Sequence, residues 1–350
     1  MANKWSKMLS QYEDTVNYNY DAFAAENCLY TPSPSVNWIF ANKSMGIPKG
    51  SGILLFSEPK AGKSLLIMSM IAEMQKRDPE GIAIVFNTEM RGRFSSADLL
   101  NVDKDRLIVY DTNRPEDIFD RMERDIQPMI DDGMPLRLVA IDSINAIGGT
   151  KSLSPDRGVN DHLVGDKALT IQKGMEKIMP IIRKKNLVGL FTAQVRANMD
   201  AGSYGPKEKA AASWAVKHAL EYYISVRKAN ASDDKQDLEG NKFEDDTVKD
   251  LRGNKEVTGH RIIVKMDQSS IGTPGRTGML TLDYHRGIIN THEEIFLLGY
   301  NTGVIKREGT SSYVFGDTKV VGKANFAKKI KEDQALASAI LEEVRKLEEK

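Results

Sequence analysis

Through the middle of the chain, short unbroken apolar runs alternate with longer stretches in which apolar residues recur every three or four positions. The runs Ile53 to Phe56, Ile82 to Phe86, Leu107 to Tyr110, Leu138 to Ile141 and Val188 to Thr192 lack the in-out alternation of a half-exposed strand. A strand reads this way when both faces are buried, as in a parallel sheet covered by helices. The periodic stretches Leu65 to Lys76, Glu116 to Asp131 and Leu169 to Lys185 supply those helices. The pattern predicts an α/β core with a mostly parallel central sheet.

After Trp214 the rhythm changes. Ala219 to Arg227, Arg261 to Met266, Thr277 to Tyr284 and Gly287 to Asn290 read as strands without long helices between them, which predicts an antiparallel extension of the sheet. Residues 229–258 are polar, acidic and nearly devoid of large apolar side chains, so a long exposed loop is expected there. Within it Asp-Leu-Glu-Gly-Asn-Lys at 237–242 is echoed by Asp-Leu-Arg-Gly-Asn-Lys at 250–255, which reads as repeated turn chemistry. From Lys323 to Glu349, Leu336, Ile340, Val344 and Leu347 keep helical spacing amid charges of both signs. That spacing predicts one helix closing a small C-terminal lobe over 293–350. Residues 1–30 precede the core of 31–292, and their Trp5, Met8, Leu9, Tyr12 and Val16 fit a helix packed on this protomer or on a neighbour.

Composition narrows the classes. With 41% hydrophobic and 28% charged residues the chain is neither disordered nor collagenous. Its 49 basic residues balance 49 acidic ones, so any hold on nucleic acid must come from local patches. Cys28 is the single cysteine, which excludes an intramolecular disulfide and a Cys-rich metal centre and suits a reducing cytosol; it reads as a core thiol. No apolar run reaches the ~20 residues of a membrane span, and Met1 to Ser10 lacks the apolar stretch of a secretory signal. A cytoplasmic protein without membrane contact is expected. The five histidines show no ligand spacing, so no transition-metal site is expected.

The chemistry concentrates where Ser57-Glu58-Pro59-Lys60-Ala61-Gly62-Lys63-Ser64 follows an apolar run and opens a helix, the setting of a phosphate-binding loop. The loop Glu58, Pro59, Lys60, Ala61 and Gly62 leads into a helix N-terminus whose N–H groups bind phosphate oxygens. Lys63 offers a cation to the β and γ phosphates, and Ser64 a hydroxyl to Mg2+. Ser57 stands where such loops usually begin with glycine, and restricts the backbone there. Asp142 ends the run Leu138 to Ile141, the place from which nucleotide hydrolases hold magnesium, usually through water. Glu89 lies just past another run, where a carboxylate orients or deprotonates the attacking water. Gln194 lies past a third, where an amide feels the same phosphate by a hydrogen bond. Surface capping at strand ends is the alternative for both. ATP with Mg2+ is the expected ligand.

Ile82-Ala-Ile-Val-Phe-Asn-Thr-Glu89, Ile141-Asp-Ser143, Phe191-Thr-Ala-Gln194-Val-Arg196 and Tyr223-Ile-Ser-Val-Arg227 stand in the order and at the spacing of the RecA family. Over roughly 30–290 the chain resembles RecA-type strand-exchange recombinases, especially the phage UvsX branch. The resemblance implies a RecA-like P-loop ATPase core in which Glu58 to Ser64 bind triphosphate, Asp142 assists magnesium, Glu89 activates water and Gln194 senses the γ phosphate. It makes 195–213, with Arg196, Asn198, Tyr204, Lys207 and Lys209, the second DNA-binding loop, and 154–167, ending in Lys167, the first. The function implied is a DNA-dependent ATPase that forms a helical filament of its own copies on single-stranded DNA. It would pair that strand with homologous duplex DNA and exchange strands in recombination, repair and recombination-dependent replication, with mediator and single-strand-binding proteins as partners.

Departures from the family pattern are specific. Gln268 and Ser270 occupy positions where cations reach a neighbouring subunit's phosphates, with Lys265 or Arg276 as substitutes. Val216-Lys217 replaces paired glycines, and the aromatic expected near Ser96 is missing unless Phe94 serves. Phe23-Ala24-Ala25-Glu26 falls one position short of a Phe-x-x-Ala docking motif, and packing within the chain fits it equally. Two rival functions share the core: a closed hexameric helicase, against which the lack of a separate N-terminal primase-binding domain counts, and an ATP-binding assembly or regulatory protein that exchanges no strands.

Overall fold

The computed structural model describes residues 21–90, 100–156, 158, 163–197, 208–229, 236–249 and 255–349. Its centre is a ten-stranded sheet. In chain order the strands are β1 (Ser51–Ser57), β2 (Ile82–Asn87), β3 (Leu107–Asp111), β4 (Leu136–Asp142), β5 (Val188–Ala197), β6 (Glu208–Ala210), β7 (Tyr222–Lys228), β8 (Gly259–Ser269), β9 (Thr277–Asp283) and β10 (Gly287–Ile289). Across the sheet the order is β10-β9-β8-β7-β1-β5-β4-β2-β3, with β6 paired to β5 alone. Every contact from β7 to β3 is parallel, and β8, β9, β10 and β6 join antiparallel. The unbroken apolar runs thus became the parallel strands, and the later strands the extension.

Both faces of β1, β2, β4 and β5 are buried, which explains why their runs do not alternate, whereas β3 at the sheet edge leaves Val109 exposed. Ile53 and Leu55 of β1 pack into one core with Ala83 and Val85 of β2, while Leu54 packs into the other with Ile84 and Phe86. The first core is closed by α1 (Lys63–Arg77), through Leu66, Ile67, Met70 and Ile71. The second is closed by α2 (Asp166–Lys184), through Met175, Ile178 and Ile182, together with the segment 116–131. That segment is helical as its spacing predicts, but Glu116–Asp120 and Met122–Ile126 are π turns before Gln127–Asp131 returns to α. Each fully buried Leu or Ile contributes ~1.5–3 kcal/mol. Cys28 is buried, as a core thiol should be, and burial pushes it up to about 11. No helix among the described residues is long and apolar enough to cross a membrane.

Three expectations change. The C-terminal stretch is two helices, Lys323–Glu332 and Gln334–Lys346, followed by a 3-10 turn. Asp333 leaves helical geometry between them and its carboxylate accepts the N–H of Leu336 at 3.0 Å, a side-chain N-cap that starts the second helix afresh. The polar insertion is not simply a loop. Asn241 donates its N–H to Asp237 at 2.7 Å to close a turn, Leu238 packs on the C-terminal core, and Glu244–Lys249 pairs antiparallel with Lys255–Val257. An unforeseen three-stranded sheet, Lys306–Glu308, Ser312–Phe315 and Thr318–Val321, lies in the C-terminal lobe. The expected N-terminal helix falls largely on 1–20, outside the described residues; Cys28–Leu29 pairs with Ile47–Pro48.

The C-terminal lobe is fastened to the core by buried charge. Glu293, on the helix Thr291–Asn301, accepts from Arg261 of β8 at 2.6 Å and from the Leu238 N–H at 2.9 Å. Its neighbour Glu294 accepts from the Ser33 hydroxyl and, at 3.1 Å, from the Ser35 N–H; burial pushes its carboxyl up to about 8. Arg276 donates two 2.8 Å hydrogen bonds to Glu348 and lies 4.6 Å over the Trp38 ring.

Candidate functional site

Parallel strands deliver their loops at one edge of the sheet, and ligands of α/β folds bind along that carboxyl edge. Ser57 ends β1, Asp142 ends β4, Thr88 and Glu89 follow β2, and Gln194 lies on β5. The register places Ser57 beside Gln194 on one pair of strands and Asn87 beside Asp142 on another. Residues separated by up to 137 positions are thereby set on one rim.

The phosphate loop turns through positive φ at Lys60 (63°) and Gly62 (100°), and α1 begins at Lys63. Glycine at position 62 is favoured by the positive φ, and a Cβ there would lie 2.4 Å from the Leu282 Cδ2 and would have to displace that side chain. Lys63 Nζ donates to the Ser57 hydroxyl at 2.6 Å. Burial lowers the Lys63 ammonium's pKa below the usual lysine range, and the charges of Asp142 and Glu89 oppose that shift. Ser64 Oγ donates to Asp142 Oδ2 at 2.6 Å, and Thr192 Oγ1 donates to Asp142 Oδ1 at 2.5 Å. The Ser64 and Asp142 oxygens form the hard donor set that Mg2+ prefers.

Glu89 is tied to the same strand end. Ser143 Oγ donates to Glu89 Oε1 at 3.0 Å, and Thr88 donates its N–H to the Asp142 carbonyl at 2.9 Å and its hydroxyl to the Ser143 carbonyl at 2.5 Å. An open cavity of about 490 Å³ is lined by Thr88, Glu89, Asn113, Gln194 and Arg196. Past Gln194, β5 leaves the parallel sheet and pairs with β6, Arg196 standing in register with Lys209. The expected second loop of 195–213 thus begins and continues as strand, Val195 to Ala197 pairing with Glu208 to Ala210, and 198–207 lie outside the described residues. Lys167 lies in the first turn of α2; partial desolvation and then the Arg196 charge push it below the usual lysine range. Two cations from separate elements, β5 and α2, thus share one electrostatic neighbourhood. Asn198, Tyr204, Lys207, Phe94 and Ser96 lie outside the described residues.

A family model for the RecA N-terminal domain matches residues 25–289. The chain belongs to the RecA family. Protein RecA of Oleidesulfovibrio alaskensis is 27% identical over 318 residues, 91% of this chain and 82% of that protein. Protein RecA of Nitratidesulfovibrio vulgaris is 27% identical over 310 residues, 88% and 78% of the two chains. Protein RecA of Porphyromonas gingivalis is 26% identical over 328 residues, 93% and 87%.

Against that family, the geometry adds residues that motif reading missed. Ser57, noted only as a departure from glycine, is the partner of Lys63. Thr192 and Ser143 each hold a carboxylate, and the signal was a hydroxyl residue at the polar end of an apolar run. The substitute cations fare differently. Arg276 is committed to Glu348 and Trp38, whereas Lys265 is half exposed and pairs with Asp267 at 3.0 Å. Gln268 and Ser270 are exposed.

Proposed function

We propose that this RecA-family protein is an ATPase stimulated by single-stranded DNA, on which it assembles as a helical filament that pairs homologous duplex DNA and exchanges strands. The observation that carries the reading is the placement of Gln194. It stands beside Ser57, where the phosphate loop begins, and two residues before Arg196 on the hairpin. A side chain so placed can answer to the terminal phosphate and to the hairpin at once.

In this reading the loop Glu58 to Gly62 and the start of α1 hold the triphosphate, and Lys63 supplies the cation. Ser64 and Asp142 would hold Mg2+, which when bound neutralises charge on the β and γ phosphates. Glu89, kept in place by Ser143, takes the proton of the attacking water. Arg196 and Lys167 neutralise DNA phosphates, with Lys209 beside Arg196 in the ladder. ATP favours the DNA-gripping arrangement, and hydrolysis releases it. Homologous recombination and repair follow from that cycle, as does recombination-dependent replication. Mediator and single-strand-binding proteins would act on the same filament. Placement on the phage UvsX branch rests on the sequence resemblance.

The test measures ATP hydrolysis with and without single-stranded DNA, and images the protein on that DNA with a nonhydrolysable ATP analogue. Stimulation together with extended helical filaments is expected. Closed rings alone would favour a helicase, and assembly without DNA stimulation would favour a non-exchanging scaffold, the reading to which Gln268 and Ser270 lend weight.

A further inference from the structure

β4 ends at Asp142, its last pair in register with β5 is Ile141 with Phe191, and the Ile144 N–H still reaches the Thr192 carbonyl at 3.0 Å before Asn145. From there the side chain of Asn145 takes over the role of a backbone peptide. Its Oδ1 accepts the Gln194 N–H at 2.9 Å, and its Nδ2 donates to the Ala211 carbonyl at 2.5 Å. Ala211 in turn donates its N–H to the Gln194 carbonyl at 2.7 Å. The three groups close a ring that joins the strand entering the hairpin, the segment leaving it and the end of β4. The Asn145 carbonyl is also the acceptor for Lys167 Nζ.

One residue therefore touches both elements that carry DNA-facing cations, and does so at the backbone of Gln194. A shift of Gln194 cannot occur without breaking the ring or moving Ala211 with it. We propose that Asn145 is the positioning residue that makes the hairpin bearing Arg196 and the helix start bearing Lys167 respond together to the state of the phosphate site. This inference rests on the function proposed above, and adds to it the part that transmits the signal. Asn145 itself needs no contact with nucleotide. An alanine there leaves the Gln194 N–H and the Ala211 carbonyl without their partner, and an aspartate keeps the acceptor while turning a second acceptor toward the Ala211 carbonyl.

The test compares wild type, Asn145→Ala and Asn145→Asp in the full chain. For each, the affinity for a labelled single-stranded oligonucleotide is measured with a nonhydrolysable ATP analogue and with ADP, at one salt concentration. The ratio of the two affinities is the readout, and any uniform effect of charge on DNA binding cancels in it. A wild-type ratio on the order of 10–100 is expected, falling about tenfold in both variants. Nucleotide affinity without DNA should stay near wild type, whereas a merely structural role for Asn145 would lower the unfolding midpoint and both DNA affinities together and leave their ratio intact. A wild-type ratio well above one that survives in either variant overturns this inference alone. A wild-type ratio near one overturns the proposed function, and this inference with it.

Discussion

Lys63 Nζ and Ser57 Oγ lie 2.6 Å apart across the phosphate loop, the serine accepting from the ammonium. The Ser57 and Glu58 carbonyls are the next oxygens, each at 3.4 Å. A hydrogen bond to a charged group contributes ~1.5–3 kcal/mol. Ser57→Ala should therefore loosen the lysine and weaken ATP binding roughly tenfold, about 1.4 kcal/mol. Lys63→Ala should abolish it with the fold intact. Nucleotide titration alongside circular dichroism reads both. Undiminished ATP affinity in Lys63→Ala would remove the site assignment.

Asp142 is held through one oxygen by Ser64 and through the other by Thr192. Asp142→Asn should raise the magnesium concentration needed for half-maximal hydrolysis and lower the maximal rate. Thr192→Val leaves the carboxylate charged but unsteadied, so it should lower the rate less and keep the same direction. A magnesium titration of ATP hydrolysis separates the two. Equal behaviour of Asp142→Asn and wild type would take Asp142 out of the metal site.

Glu89 accepts from Ser143, so its carboxylate is aimed as well as charged. Glu89→Gln should cut ATP hydrolysis about 10²-fold or more while sparing ATP binding, the pattern of a lost general base. Ser143→Ala, which removes only the aiming contact, should cost less. Single-turnover hydrolysis with saturating ATP checks both, and an unchanged rate in Glu89→Gln would assign the water to another group.

Glu294 faces Ser33, Ser35 and the neighbouring Glu293, and burial holds it protonated to about pH 8. In the unfolded chain the same carboxyl ionises near pH 4.5. The folded state therefore binds the extra proton. Stability from this group is full below about pH 4.5 and is lost as the pH rises toward 8, at about 1.4 kcal/mol per pH unit. Glu294→Gln should flatten that part of the curve. Denaturant melts between pH 5 and pH 8 measure it, and parallel curves for the two proteins would show that Glu294 ionises normally.

The parts of the fold legible in the sequence were those where one residue class dominates a surface. Strands buried on both faces must be apolar throughout, so the runs beginning at Ile53, Ile82 and Leu138 gave the parallel sheet directly. The phosphate loop was legible because its chemistry depends on residues adjacent in sequence. Contacts such as Thr192 with Asp142 join positions far apart, and a hydroxyl at a strand end does not announce which carboxylate it meets. At Asp333 the apolar spacing ran on smoothly while the capping signal, an aspartate before a helical stretch, broke it. The strands between Lys306 and Val321 are three or four residues long, too short to show alternation. The insertion was misjudged because Leu238, which packs on the C-terminal core, is outweighed by polar neighbours.

The rung formed by Ser57 and Gln194 has a last consequence. Neighbouring strands are ~4.8 Å apart, so under the proposed function an arriving phosphate would be felt one strand width away, on the segment that bears Arg196. Such a relay demands no rotation of lobes, only a displacement small enough to fit within one sheet. Remote alterations, even those that unfasten Arg276 from Glu348, should then change how long the molecule survives heating without changing how faithfully it converts fuel into grip.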